Sequence, residues 1–346
     1  MEDIFRNKTI LITGGTGFIG RALVKEILRY KPHSIRLFSR DEVKHHNVHE
    51  IFKDYKDESG GEIIRNFLGD VRDYTRLLKA TKGADIVIHA AALKRVDLME
   101  YNVDESIKTN VLGSLNVARA CLENNVDKVI FISTDKACSP VNTYGGCKFL
   151  SERVFIESNY SKGDARTKFV VVRYGNVLES TGSVIPFFIE KIKSGVKIPI
   201  TDERMTRFII SSNEAVELIF KALKWGVGGE IFVPKLPSMR IPDLVTVLKD
   251  KFSTNNEIEI TGIRAGEKIH ELMINEAEVK HTFDFDDVYV IVPFLKREKT
   301  PWYYALKGEG IYREGKIPEG LTEYSSKDSL LSIDGLKRVL DEKLGI

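Results

Sequence analysis

Short apolar runs alternate with helix-period stretches through the first half of the chain. "KTILIT" (Lys8 to Thr13) has the pattern of a buried strand, and "FIGRALVKEILRY" after it carries apolar positions at helical spacing. "SIRLF", "IIRNFL", "DIVIH", "KVIFIS" and "KFVVVR" continue the series, with helical patterns between most of them. Six strand-like runs spaced by helices predict an α/β fold built on a doubly wound parallel sheet. Strands this apolar must be covered on both faces.

After Arg173 the rhythm changes. Gly and Pro punctuate "YGNVLESTGSVIPFF" and "SGVKIPITDERMTRF". A helical run, "NEAVELIFKALKW", and a strand, "GEIFVP", then return to the first domain. The expected division is a dinucleotide-binding domain of 1–173 plus about 211–233, and a smaller mixed α/β substrate lobe with a C-terminal segment, together about 174–210 plus 234–346. The lobe ends in an amphipathic helix near "SIDGLKRVLDEKL", and "KDYKDESGGE" (Lys53 to Glu62) is expected to be a polar surface loop.

Charge narrows the classes. With 346 residues, 52 basic and 50 acidic, the net charge is +2, which argues against a nucleic-acid protein while leaving room for a local phosphate site. "MEDIFRNKTILITGG" goes straight into a strand pattern with no signal-peptide layout, and no stretch reaches the apolar length of a membrane span. Cys121, Cys138 and Cys147 are odd in number and lack metal-like spacing, so a reducing cytoplasm is the expected setting and Cys147 reads as a packing residue. His45, His46 and His49 in "HHNVH" have helical ligand spacing but no acid or cysteine to complete a shell, so a solvated helix or loop and no metal are expected.

"TGGTGFIG" follows the first strand and opens the first helix, with Gly14, Gly17 and Gly20 three apart. That is a variant of the Rossmann glycine fingerprint, in which backbone N–H groups approach a pyrophosphate at a helix N-terminus. Thr13, Phe18 and Ile19 stand beside those glycines. The second strand ends in "FSRDE", where Ser39 and Arg40 precede the acids. A guanidinium there suits a 2′-phosphate, favouring NADP over NAD. Asp70 and Val71 of "GDVRD" are placed to border the adenine, and Ala90, Ala91 and Ala92 to pack against the cofactor or against a helix.

Tyr144 and Lys148 are four apart at the start of a helix and share a face. A free tyrosine, with a pKa of about 10, is a poor base at neutral pH. A neighbouring ammonium and a positive nicotinamide favour the phenolate. Thr134 ends the preceding strand within reach of the same substrate hydroxyl. Asp135 and Lys136 follow it, and a redox step alone has no need of them.

With "AAALK", "TNVLGSLNV", "STDKA", "YGGCK", "RYGNV", "MTRF" and "GIRAGEKIHE", the chain resembles the extended short-chain dehydrogenase/reductase superfamily, and within it the UDP-N-acetylglucosamine 4,6-dehydratases. The resemblance implies that Tyr144 removes the C4 hydroxyl proton as hydride leaves to NADP+. The 4-ketone acidifies C5; Lys136 then acts as base there, Asp135 as acid at the departing C6 hydroxyl, and hydride returns to C6. Lysine serves as a base only if its pKa is depressed. It also implies that Asn110 joins the cofactor site. Lys94 approaches the sugar or cofactor, and Asn176, Ser183, Val184, Pro186, Thr201, Arg207, Arg264 and Glu267 form the UDP pocket.

Several retaining relatives are membrane-anchored and some carry methionine in place of Tyr144. The resemblance therefore points to the soluble C5-inverting type, serving pseudaminic acid or other surface glycans, and to a homo-oligomer. C5 retention, nucleotide-sugar 4-epimerisation and a non-catalytic NADP-binding protein are the alternatives. An epimerase has no use for Asp135 and Lys136.

Overall fold

The computed structural model describes residues 1–56, 60–180, 183–294 and 315–344. The predicted strands form: β1 (Thr9–Thr13), β2 (Ser34–Ser39), β3 (Ile64–Leu68), β4 (Ile86–His89), β5 (Lys128–Thr134) and β6 (Lys168–Tyr174). Beyond them lie β7 (Asn176–Val177), β8 (Ile198–Ile200), β9 (Thr206–Ile210), β10 (Ile231–Pro234) and β11 (Ser238–Arg240). The last are β12 (Ile258–Ile260), β13 (Leu272–Ile274), β14 (Thr282–Asp284), β15 (Val288–Ile291) and β16 (Tyr324–Ser325).

The main sheet has the order β14-β15-β10-β6-β5-β4-β1-β2-β3. From β3 across to β10 every pairing is parallel. β1 and β4 are buried along their whole length, as all-apolar central strands require, whereas the edge strand β3 is mostly exposed or half-buried. Chain order reverses between β1 and β4, which opens a crevice at the carboxyl ends of the strands. "GEIFVP" joins the sheet as β10, beside β6.

The doubly wound parallel sheet expected from the sequence forms from β3 to β10, and β15 and β14 extend it antiparallel beyond β10. Two sequence expectations differ from the structure. The lobe is smaller than 234–346: Met273, Ile274, Phe283, Val288 and Tyr324 pack into the core of the sheet. A second core gathers Leu178, Ile185, Phe188 and Ile209 with Leu244, Leu248, Leu336 and Leu340, the last two from the C-terminal helix Ile333–Leu344. The chain also does not go straight into β1, since Glu2–Phe5 makes a helical turn that buries Phe5 against Tyr30 and Phe220. Of the polar run Lys53–Glu62, residues 57–59 lie outside the described residues. Among the described residues, no helix is long and apolar enough to cross a membrane.

Candidate active site

A cleft of ≈ 1370 Å³ crosses the carboxyl ends of the main sheet. That exceeds the roughly 300–1,000 Å³ of most single-ligand pockets and has room for two sizeable ligands side by side. One end is walled by the turn after β1. Gly14 adopts φ +68°, and a Cβ on it would stand 2.8 Å from the Ala91 nitrogen, so only glycine lets the two loops close up. Gly17 begins the helix Phe18–Leu28 with no side-chain cap, leaving the first N–H groups of an eleven-residue helix for an anion. These features fit a dinucleotide pyrophosphate.

Around that turn Gly14, Gly17, Phe18, Ile19, Gly20, Ser39, Arg40, Asp70, Val71 and Ala90 to Ala92 all line the cleft. Asp41 lines it too, but its carboxylate accepts the Lys44 backbone N–H at 3.0 Å and lies 3.1 Å from Lys44 Nζ. Those contacts hold its pKa below the usual carboxylate range. Arg40 lies 3.4 Å from Asp70, which Arg72 also grips at 2.7 Å. Thr13 and Asn110 stand one layer behind the cleft wall. Thr13 Oγ1 meets His89 Nδ1 at 2.6 Å and accepts the Ala91 N–H, while Asn110 bonds both backbone groups of Leu93 at 2.8 and 2.9 Å. Both therefore shape the Ala90–Leu93 loop from beneath. His45 corrects its expectation: it is buried, bridging Ser39 Oγ at 2.9 Å and Asn66 Oδ1 at 2.9 Å, while His46 is exposed. No group of three or more metal-ligating side chains occurs among the described residues.

The middle of the cleft is built where β5 ends. Asn142 caps the helix Thr143–Ser161, its Oδ1 accepting from Gly145 N–H at 2.7 Å and its Nδ2 donating to Gly266 O at 2.8 Å. A side chain at Gly145 would run into the Lys136 carbonyl, so glycine after Tyr144 is what lets this helix lie on the turn Asp135–Ala137. Thr134, Lys136, Tyr144 and Lys148 line the cleft. Asp135 is fully buried behind them; its Oδ1 accepts from Lys136 Nζ at 2.9 Å and from Thr134 Oγ1 at 2.8 Å, and its Oδ2 has no hydrogen-bond partner.

The electrostatics differ from expectation at two residues. Burial draws the Lys136 pKa down, but the Asp135 and Glu271 carboxylates outweigh it, so Lys136 is held as an ammonium rather than depressed. Burial and Asp135 push the Tyr144 hydroxyl up to about 12, against Lys136 and a hydrogen bond from Thr134. The cation acting on Tyr144 is thus Lys136. Lys148 instead donates to Ile132 O at 2.5 Å and lies 4.2 Å above the Phe131 ring, where burial lowers its pKa to about 7.

Lys94, Asn176, Ser183, Val184, Pro186, Thr201, Arg207, Arg264 and Glu267 line the same cleft. Asn176 Oδ1 is 3.4 Å from Lys136 Nζ. Arg207 is anchored by Thr206 O at 2.8 Å and Ile269 O at 3.2 Å. Glu267 Oε2 accepts the Arg264 N–H at 3.2 Å, which fixes that loop.

Residues 10–293 match the polysaccharide biosynthesis protein family. The chain belongs to this family. It is 47% identical over 328 residues, 94% of each chain, to the inverting UDP-N-acetylglucosamine 4,6-dehydratase of Campylobacter jejuni. A UDP-glucose 4-epimerase of Rickettsia massiliae is 38% identical over 341 residues, 97% of this chain and 96% of its own. Among solved structures, Pen from Bacillus thuringiensis matches with a TM-score of 0.88 at 34% identity, covering 99% of each chain. Membership of the family and the Rossmann-type fold agree with the motifs from "TGGTGFIG" to "GIRAGEKIHE".

Two features of this family member escaped the sequence reading. Glu271 lines the cleft from the lobe side, 3% exposed, with Oε1 3.6 Å from Lys136 Nζ and 3.8 Å from Arg207 Nε. It lies four residues beyond Glu267 in a motif already singled out, and only the folded register shows which glutamate turns inward. Behind the helix Thr143–Ser161, fully buried Arg173 bonds Glu152 at 3.0 and 2.7 Å and Glu278 at 2.8 and 2.9 Å, and Ser133 Oγ donates to Glu152 at 2.6 Å. This cluster clamps β5, β6 and the helix Thr143–Ser161 to the segment Glu276–Val279.

Proposed function

We propose that this chain is a C5-inverting UDP-N-acetylglucosamine 4,6-dehydratase. Its product is the 4-keto-6-deoxy L-arabino sugar nucleotide, made for pseudaminic acid or another surface glycan. The observation that carries the reading is the Lys136–Asp135 contact of 2.9 Å beside Tyr144 in a cleft large enough for a dinucleotide and a nucleotide sugar. The dehydratase relative at 47% identity supports it. Ala90 to Ala92 would hold a nicotinamide, which when bound would supply hydride acceptance from C4 and hydride donation to C6.

The chain's own residues move the protons. Tyr144, hydrogen-bonded by Thr134 and favoured as phenolate by Lys136, takes the C4 hydroxyl proton. Passing one proton from Lys136 to Asp135 along their hydrogen bond gives a neutral amine and a protonated acid. The amine takes the proton from C5, and Asp135, buried behind the cleft wall, passes its proton to the leaving C6 hydroxyl through the Thr134 hydroxyl, 2.8 Å from it and lining the cleft. Water departs, and the ammonium–carboxylate pair is restored. Lys136 can then return a proton to the opposite face of C5. Arg207 and Arg264 hold the diphosphate as cationic donors.

The test is incubation with UDP-N-acetylglucosamine in D2O, followed by NMR and mass spectrometry. Loss of water with deuterium at C5 is expected, and the C5 coupling pattern gives inverted configuration. The 38% identity to a UDP-glucose 4-epimerase favours a second reading, which predicts UDP-N-acetylgalactosamine without loss of water. For the cofactor, Arg40 with Lys44 beside it supplies positive charge for a 2′-phosphate, while the Asp41 carboxylate is engaged as a helix cap. Arg40→Leu is expected to weaken NADP+ binding about tenfold and to leave NAD+ binding within about twofold, measured by calorimetry. Equal weakening of both would remove the NADP preference.

A further inference from the structure

Glu271 is a buried carboxylate that the proposed proton transfers do not use. Three cations converge on it: Lys136 at 3.6 Å, Arg207 of β9 at 3.8 Å and, three residues before it in the chain, Lys268 at 3.9 Å. None of these is at hydrogen-bond length, and Oε2 is buried with no hydrogen-bond partner. A buried carboxylate left under-satisfied in this way costs stability, so its presence at a cleft wall calls for a role. Its backbone is fixed by Ser326, whose Oγ accepts the Glu271 N–H at 2.9 Å and whose N–H donates to Glu271 O at 2.8 Å. Lys268 and Arg207 have other anchors, in Cys138 O at 2.6 Å and Thr206 O at 2.8 Å. The Lys136 ammonium lies between Asp135 on the sheet side and Glu271 on the lobe side, with Asn176 Oδ1 at 3.4 Å.

We propose that Glu271 is a positioning residue for the elimination, holding the Lys136 amine over the reaction site from the lobe side and strengthening it as a base. This rests on the dehydratase reading above. When a neutral amine takes the C5 proton, positive charge develops on its nitrogen. A fixed carboxylate at 3.6 Å stabilises that charge as it forms. The same field opposes loss of the ammonium proton, to Asp135 or at high pH to solvent, in keeping with the raised Lys136 pKa. The other charged or titratable groups facing Lys136 are Asp135, Arg207 and Tyr144.

Two effects follow from removing the charge while keeping the shape. In Glu271→Gln, the limiting rate of C5 hydrogen–deuterium exchange should fall about tenfold or more. The midpoint of its rise with pH should move down by about one unit or more. UDP binding, read by calorimetry, and KM for UDP-N-acetylglucosamine should stay within about threefold, because Arg207 keeps its carbonyl anchors. Glu271→Asp keeps the charge at a greater distance, so its midpoint should lie between those of the parent and Glu271→Gln. If Glu271→Gln does not fold, a midpoint of Glu271→Asp below the parent's carries the same point.

An unmoved midpoint overturns the proposal. So does a loss confined to UDP affinity or KM, which would make Glu271 an anchor for Arg207 alone. The parent protein is measured first: absence of C5 exchange there sinks the dehydratase reading itself, whereas exchange in the parent with an unmoved midpoint in the variants sinks only the role of Glu271.

Discussion

Lys136→Ala is expected to lower deuterium uptake at C5 of UDP-N-acetylglucosamine by about 10²–10⁴-fold, the usual span for loss of a general base. UDP and NADP+ binding, measured by calorimetry, should remain within about threefold of the parent. The separation arises because Lys136 Nζ contacts Asp135, Asn176 and Glu271, while the proposed diphosphate ligands are Arg207 and Arg264 and the proposed pyrophosphate site is the glycine turn. A second consequence follows from the charges. Lys136 is the cation that favours the Tyr144 phenolate, against burial and Asp135. Without it Tyr144 becomes harder to ionise, so C4 oxidation, read as absorbance of the reduced nicotinamide on substrate addition, should also slow and require higher pH. Unchanged C5 exchange in Lys136→Ala would remove it as the base.

The parts of the fold and site legible in the sequence are those that depend on local pattern. β1 to β6 declare themselves as apolar runs because central parallel strands are covered on both faces. Gly14 and Gly17 declare the cradle because a close loop approach and an uncapped helix start need residues without side chains. The tail was less legible. β14 and β15 are three and four residues long; they pair with each other, and only β15 reaches the sheet, through β10 upstream. "HHNVH" read as solvated because nothing local shows that His45 turns inward to Asn66 of β3. Tyr144 and Lys148, four apart in the helix Thr143–Ser161, both line the cleft, as their spacing predicts. Which cation governs Tyr144 was not readable, because Lys148 is diverted to the Ile132 carbonyl and Lys136 arrives from a different turn. Glu271 was missed for the same reason: its partners are 64 and 135 positions away, so no spacing rule joins them.

Arg173→Met should produce the largest loss of stability, about 3–5 kcal/mol by urea unfolding followed by circular dichroism. Arg173 is fully buried and its guanidinium serves Glu152, Glu278 and the Met273 carbonyl together. Methionine fills much of the space but leaves two buried carboxylates whose remaining ion pairs among the described residues are with Arg153, at 3.7 and 4.0 Å. The lost energy is mainly that of the stranded charges, so Arg173→Met combined with Glu152→Gln and Glu278→Gln should recover more than half of it. The pH dependence supplies an independent check. Burial raises the Glu278 pKa, but Arg173 lowers it further, and the net folded value is depressed. A depressed carboxyl contributes stability that is fully present above its unfolded pKa, about 4.3, and is lost as pH falls through the folded value. In Arg173→Met burial dominates at Glu278, its folded pKa rises, and protonation now stabilises the fold. The stability gap between parent and variant should therefore narrow steadily as pH drops below about 5. A gap that is constant with pH would mean that Arg173 acts through packing alone, with no electrostatic hold on the helix that carries Tyr144.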